Sequence, residues 1–219
     1  MAFSQETLDF LSQNFMNNSR DWYQSHKDEY RKFVAEPFTE FITKLEPALH
    51  AIDGQMLVDP RKFSRLFRDM RYVKGGPIFH ANVWCAFSKP NNEMNELPGF
   101  YFDFSANGCE YGFGYYRASA KTMEAIRTMI IDGDKAFLAA RKAYEGQSVF
   151  AIGGDTYKKD RYPDAPKADA DWLNRKSIYF HAREEDWKCI FSEDLADRIA
   201  EKFLLLAPVY EFFMKAEER

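Results

Sequence analysis

The segment GFYFDFSANGCEYGFGYY, residues 99–116, constrains the fold of this chain more than any other. Two short aromatic runs flank Asn107–Gly108, and Asn-Gly supplies the positive φ angles that a tight hairpin turn needs. The reading is therefore a β-hairpin centred on that dipeptide. Rings are dense well beyond it: the chain holds 21 Phe, 12 Tyr and 4 Trp, 17% of its residues. Large rings at this frequency mean a thick core or a stacking groove, and the core is the better reading.

Around the hairpin the hydrophobic period is helical. Ser4 stands as N-cap before Leu8, Leu11 and Phe15, spaced for one apolar stripe. In NNSRDWYQSHKDEYRKF, Asn18 or Ser19 can cap a second helix, with Asp21 in its first turn. Its ringed side runs through Trp22, Tyr23, His26, Tyr30 and Phe33. A third helix buries Phe38, Phe41, Ile42 and Leu45; Pro37 is tolerated near its start, and Pro47 bends or ends it. Asp53-Gly54 closes this helical third.

The chain then reads as extended from about Lys62 to Tyr72, with a strand over Ile78–Ser88. After the hairpin, Ser119 caps a helix that buries Met123, Ile126 and Ile130. A second short helix runs from Asp134 to Tyr144 and stops at Gly146. Strand-like fragments and a Gly/Pro/Asp-rich loop follow, then a strand in RKSIYFHARE. A closing helix opens at Ser192 and kinks at Pro208. Nothing repeats and no linker divides the chain. The expected fold is α+β: one domain over 1–219, with a helical third to about residue 55 and a mainly antiparallel sheet flanked by helices over 56–219.

At 219 residues such a chain buries roughly 70% of its unfolded surface and needs no disulfide or metal staple. A net charge of −4 and a pI of 5.7 weigh against a general nucleic-acid binder, which carries a net basic footprint. Cys85, Cys109 and Cys189 are odd in number and widely spaced, so they read as free thiols in a reducing compartment. The start, MAFSQETLDFLSQNF, is polar and acidic where a signal peptide would be basic and then apolar. No apolar run reaches membrane-spanning length. The expectation is a soluble cytoplasmic protein.

Several motifs fall to simpler readings. YGFGYYRA, residues 111–118, is superficially like the base-stacking strand of an RNA-recognition motif. Tyr111 replaces the basic residue and Ala118 the last aromatic, so its glycines read instead as places where a backbone or ring comes close. His26, His50, His80 and His181 share no ligand spacing with each other or with the cysteines, and no metal is expected. Gly153-Gly154 lacks the Lys-Ser/Thr and helix of a phosphate loop, and there is no Gly-x-Ser-x-Gly elbow. No cofactor is indicated.

FSRLFRDMRYVKGGPIFH, residues 63–80, remains. If it is extended, side chains alternate faces. Arg65, Phe67, Asp69 and Arg71 then share one face, with Asp69 available to neutralise both arginines. Arg68 and Lys74 share the other and converge with His80 beyond the Gly75-Gly76-Pro77 turn. Arginine forks match phosphate or carboxylate oxygens, which makes this an anion-binding candidate. The same charges read also as ion pairs on a half-exposed sheet, and a helical 63–74 would gather Arg65, Arg68 and Asp69 instead. TYKKDRYP, 156–163, reads as a surface loop whose Lys158 and Lys159 could close over a site built on the sheet.

Taken in order, NNSRDWY (17–23), RLFRDMRYVK (65–74), GFYFDFSANGCEYGFGYY (99–116), GDTYKK (154–159) and WLNRKS (172–177) make the chain resemble a bacterial and fungal family, domain of unknown function 2461, over almost its full length. The resemblance implies no activity. It picks out Asn18, Trp22, Arg68, Asp69, Arg71 and Lys74 as the positions that match the family pattern. The chain departs from that pattern after Lys74: Gly75 and Gly76 replace lysines, Phe79 and His80 stand for Tyr and Lys, and the His expected after Lys159 is missing.

Residues and resemblance together lead to one expectation, an anionic small molecule held by Arg65, Arg68, Asp69, Arg71, Lys74 and His80, with Lys158 from the covering loop. His80 is the weak candidate for a catalytic group, because its pKa suits proton transfer near neutrality. The alternative is a non-catalytic interaction module, with Trp22, Tyr23 or Tyr116 packing on a partner or a second copy.

Overall fold

The computed structural model describes residues 2–71, 75–90 and 97–219. Helix α1 (Gln5–Asn17) ends at Asn18, whose φ of 48° places it in the left-handed region that asparagine tolerates. Ser19 then caps α2 (Arg20–Ser25), its hydroxyl accepting from the Trp22 N–H at 3.3 Å. Beyond His26, α3 (Lys27–Tyr30) runs through a π-helical turn (Arg31–Ala35) into α4 (Glu36–Ile52). Pro37 has no N–H for the carbonyl four residues back, and the π turn ends two residues before it. The second expected helix is therefore broken at His26, and its latter part joins the third. Helix α4 runs through Pro47 to Ile52.

Helix α1 buries Thr7, Phe10, Leu11 and Asn14, while Leu8 and Phe15 stay half-exposed. The expected stripe is rotated because Phe10 turns toward Trp22 and Tyr30, with ring centroids 5.6 and 5.9 Å away.

The sheet comprises β1 (Asn82–Phe87), β2 (Gly99–Ser105), β3 (Gly108–Gly114), β4 (Ala151–Gly153) and β5 (Tyr179–Glu184), in the order β1-β2-β3-β5-β4 and antiparallel throughout. The β2–β3 hairpin forms one residue away from its expected centre. Ser105 pairs with Gly108, so Ala106 and Asn107 make the turn and Gly108, at φ 102°, opens β3. A Cβ on Gly108 would lie 2.4 Å from the Glu184 carbonyl oxygen, so the glycine serves the β3–β5 approach as well as the turn.

Helices α5 (Ala120–Ile131) and α6 (Lys135–Glu145) are capped by Ser119 and Asp134. The loop after β4, expected to be irregular, carries a short α7 (Lys167–Leu173), and β5 leads into a short α8 (Trp187–Ile190). The closing helix starts at Leu195, three residues later than expected. It divides into α9 (Leu195–Leu204) and α10 (Ala207–Glu217), with Pro208 at the first turn of α10, where no N–H is needed.

The rings form the core. One face of the sheet presents Phe100, Phe102, Phe104, Tyr111, Phe113 and Phe180, each at most 1% exposed. Against them pack Phe41 of α4 on Phe102 (4.2 Å), Phe203 of α9 on Phe100 (4.8 Å), Phe213 of α10 on Phe113 (5.6 Å) and Trp172 of α7 on Phe180 (5.2 Å). Within YGFGYY the rings of Tyr111, Phe113 and Tyr115 are thus turned inward, and Tyr116 is exposed. The glycines of that segment do let neighbours come close: a Cβ on Gly112 would lie 1.9 Å from the Phe180 carbonyl oxygen. Burial pushes the Cys85 thiol up and the Cys109 thiol to about 12, so both are inert at neutral pH.

Candidate functional site

Two places gather chemistry: the arginine corner beside β1 and the sheet face away from the helices. At the corner, residues 64–68 run extended alongside 78–84. The Arg68 N–H donates to the Ile78 carbonyl (2.9 Å), the His80 N–H to Leu66 (2.7 Å) and the Ser64 N–H to Trp84 (2.7 Å), with a bridge between Phe67 and Phe79. This is the extended form, not the helical one. Leu66 is buried, and the Phe67 ring sits 4.6 Å from Phe79 and 5.1 Å from Tyr23. Asn18 joins the same corner, its side-chain oxygen accepting from the Ile78 N–H at 2.7 Å. Two stretches some forty residues apart, NNSRDWY and RLFRD, therefore meet in space. Trp22 is turned to the structure's own use, stacked on His26 at 4.0 Å.

The charges of the corner divide. Arg71 closes a fork on Asp69, with its Nε at 2.9 Å from one carboxylate oxygen and an Nη at 2.6 Å from the other. Those hydrogen bonds, with the Arg71 backbone N–H and the field of Arg65, hold the Asp69 carboxyl at about 2. Arg68 and His80 converge on each other. Partial burial lowers the His80 pKa, and the Arg68 guanidinium lowers it further. Arg65 is exposed on the outer side. Lys74 lies outside the described residues. Lys158 is exposed in the loop after β4, the strand at the opposite edge of the sheet from β1, and its neighbours Tyr157 and Asp155 hydrogen-bond to Asn174 and Lys176.

That loop has its own cluster, the meeting of GDTYKK with WLNRKS. Arg127, 6% exposed, donates to the carbonyls of Leu173 (3.3 Å) and Arg175 (2.8 Å) and to the Tyr157 hydroxyl (3.0 Å). Arg161 lies 3.7 Å over the Tyr157 ring. Here the cations hold backbone together. A cleft of about 490 Å³ adjoins this loop, between Ile130, Ile131 and Gly133 on one side and residues 161–166 on the other. It is remote in sequence from both the arginine corner and the hairpin.

The sheet face away from the core is polar and half-exposed. In register across four strands stand Trp84, Asp103, Glu110 and Arg183. Next to them run Ala86, Tyr101, Gly112, His181 and Ala151. Glu110 receives the Tyr101 hydroxyl at 3.1 Å on one oxygen and the Arg183 Nε at 2.8 Å on the other. Asn82 donates its side-chain amide to Asp103. Burial, and secondarily the charge of Glu110, raise the Asp103 pKa despite that bond. Burial and Glu110 also push the Tyr101 phenol up, so it stays neutral. The Tyr101 ring lies over Gly112, where a Cβ would come within 3.0 Å of it. The sequence reading passed over this face, although its signal was there: polar residues at alternate positions between the buried phenylalanines of 99–105.

Among the described residues no group of three or more His, Cys, Asp or Glu side chains is placed to hold a metal ion. No helix among them is long and apolar enough to cross a membrane. Fold and site thus define an α+β protein with one aromatic, helix-covered sheet face, one polar face and a basic corner at the sheet's edge. The chain belongs to the DUF2461 family, described as a conserved hypothetical protein, whose model matches residues 6–212. A search of curated proteins finds no match.

Proposed function

We propose that the protein binds a small anionic ligand, a phosphate or a carboxylate, at the corner formed by Arg68 and His80. The observation that supports this reading is the condition of Arg68. Its guanidinium carries five donors, yet among the described residues its one side-chain hydrogen bond, to the Pro77 carbonyl, is long at 3.4 Å, and it has no carboxylate partner there. Arg71, by contrast, is engaged with Asp69. Beside Arg68 the chain turns through Gly75 and Gly76, at φ 79° and 83°, and a Cβ on Gly76 would stand 3.7 Å from the Arg68 Nη1. At that position glycine adds no side chain beside the guanidinium. His80 is the group there able to move a proton near neutrality.

The rival reading, an interaction module, calls on Trp22, Tyr23 and Tyr116. Trp22 and Tyr23 pack against the core, so it rests on Tyr116, which is 89% exposed.

A thermal-shift screen of wild type and Arg68→Ala against sulfate, phosphate, phosphorylated metabolites, sugar acids and nucleotides tests the proposal. A ligand at a hundredfold excess over its Kd adds about 2.7 kcal/mol. For a chain of this length that corresponds to a rise of about 5–10 °C. The expected result is such a rise in wild type, absent in Arg68→Ala. No rise with any anion, or an equal rise in the variant, overturns it.

A further inference from the structure

The polar sheet face carries a second inference, independent of the arginine corner. Its members come from four strands and 100 residues of sequence, yet they converge on one surface. Trp84 is 46% exposed, the largest side chain on that face to be so open, and Ala86, two residues along the strand, is exposed with no bulk to cover it. Next to the indole, in register, stand the Asp103 and Glu110 carboxyls and then the Arg183 guanidinium. At about 4.8 Å between strands the row spans roughly 14 Å. Tyr101 and His181 flank it in the adjoining row.

The charge balance of the row narrows what can lie on it. Two carboxyls face one guanidinium, so the row offers no excess of positive charge to a phosphate or a nucleic acid. Glu110 already holds Arg183 and the Tyr101 hydroxyl, and Asp103 holds Asn82, which leaves no unspent carboxylate pair to cage a cation. What remains are oxygen lone pairs that accept, N–H groups of Arg183 and His181 that donate, and an open indole. Neutral hydroxyl groups satisfy both kinds of partner. The face of an aromatic ring is electron-rich and attracts the weakly positive C–H groups that line one side of a sugar ring.

We propose that this face is a carbohydrate-binding surface for neutral sugar rings, with Trp84 as the stacking platform and Asp103, Glu110, His181 and Arg183 as hydroxyl partners. The glycine under Tyr101 belongs to the design: Gly112 lets the phenol lie flat and deliver its hydroxyl to Glu110, which fixes that carboxylate for its ligand.

The test is saturation-transfer NMR and calorimetric titration with glucose, galactose, mannose, N-acetylglucosamine and short malto- and cello-oligosaccharides. Wild type is compared with Trp84→Ala, Glu110→Gln and Arg68→Ala, each checked for an unchanged melting profile. Trp84 is half-exposed, so its removal leaves the core intact. The expected result is saturation of ring C–H protons in at least one sugar, an affinity about tenfold weaker in Trp84→Ala and in Glu110→Gln, and no change in Arg68→Ala. Absence of binding by every sugar at roughly 10 mM overturns the proposal, as does binding that survives Trp84→Ala. Binding lost only in Arg68→Ala also overturns it, by assigning the sugar to the anion corner. The screen of anions reads the corner separately, so either proposal can fail alone.

Discussion

Asp53 ties three parts of the molecule together, and its replacement tests how much that tie contributes. It follows the last residue of α4. One carboxylate oxygen accepts from the Lys89 Nζ at 2.8 Å, just beyond β1, and from the Tyr210 hydroxyl of α10 at 2.6 Å. The other accepts from the Gln55 backbone N–H at 2.9 Å. The side chain is 15% exposed and that of Lys89 28%, so the pair is shielded from water and salt. Burial pushes the Asp53 carboxyl up, but hydrogen bonds from Lys89, Tyr210 and Gln55 outweigh it and hold the pKa below its usual value. In Asp53→Asn, hydrogen bonds to a charged acceptor, worth about 1.5–3 kcal/mol each, become neutral ones worth about 0.5–1.5 kcal/mol. Over the Lys89 and Tyr210 bonds the expected loss is about 2–3 kcal/mol. At roughly 2–4 °C per kcal/mol the melting temperature falls by about 4–12 °C. The pH dependence has a definite sign. A carboxyl with a depressed folded pKa stabilises fully above its unfolded value near 3.9, and that stability is lost as pH falls through the folded pKa. The gap between wild type and Asp53→Asn should therefore be full at pH 7 and shrink below pH 4. Calorimetric melting of both proteins from pH 7 to pH 3 measures it. A gap under 1 °C at pH 7, or one that stays constant with pH, would refute the reasoning.

Two further outcomes follow from the sites. Gly112→Ala sets a Cβ against the Phe180 carbonyl and the Tyr101 ring, so it should cost about 3 kcal/mol, the upper end for overpacking, and an unchanged melting temperature would contradict it. His80 has a folded pKa below its unfolded value, so without ligand it contributes less stability as pH falls through about 6.5. A bound anion favours the protonated ring, so anion affinity at Arg68 should rise between pH 7.5 and pH 5.5. His80→Gln should flatten that rise, and titration at the two pH values would show whether it does.

Much of the fold was legible because long periodic segments announce themselves. Ser119 as a cap, a helix opening at Asp134, a disturbance of the closing helix at Pro208 and the hairpin all come from local chemistry that tertiary contacts do not override. The misses have local causes too. Helices α7 and α8 are too short to show a period, and the stripe of α1 rotated because Phe10 found Trp22 and Tyr30. At the arginine corner the sequence placed Asp69 against Arg71 and Arg68 near His80, since these lie close along the chain. It had no means to place Lys158, whose loop departs from the far edge of a sheet whose strand order is not encoded locally. The alternation in β2 marks a polar face, but its pairings across the sheet are hidden for the same reason. Asn82 meets Asp103, and Glu110 meets Arg183, only once strand register is known.

The strand order also fixes a timetable for folding. Strands β2 and β3 are joined by two residues and can pair as soon as both exist, but β3 must wait for β5 across more than sixty residues. Loop closure over that length adds an entropic cost that local hairpins escape, and such non-local pairing slows folding. The cover is later still. Phe203, Tyr210 and Phe213, which shield Phe100 and Phe113, all lie in the last two helices. Until α9 and α10 are made, Phe100 and Phe113 therefore lack the rings that shield them. Loss of α10 bares Phe113 and Tyr115, so its removal should show as aggregation as well as lost stability.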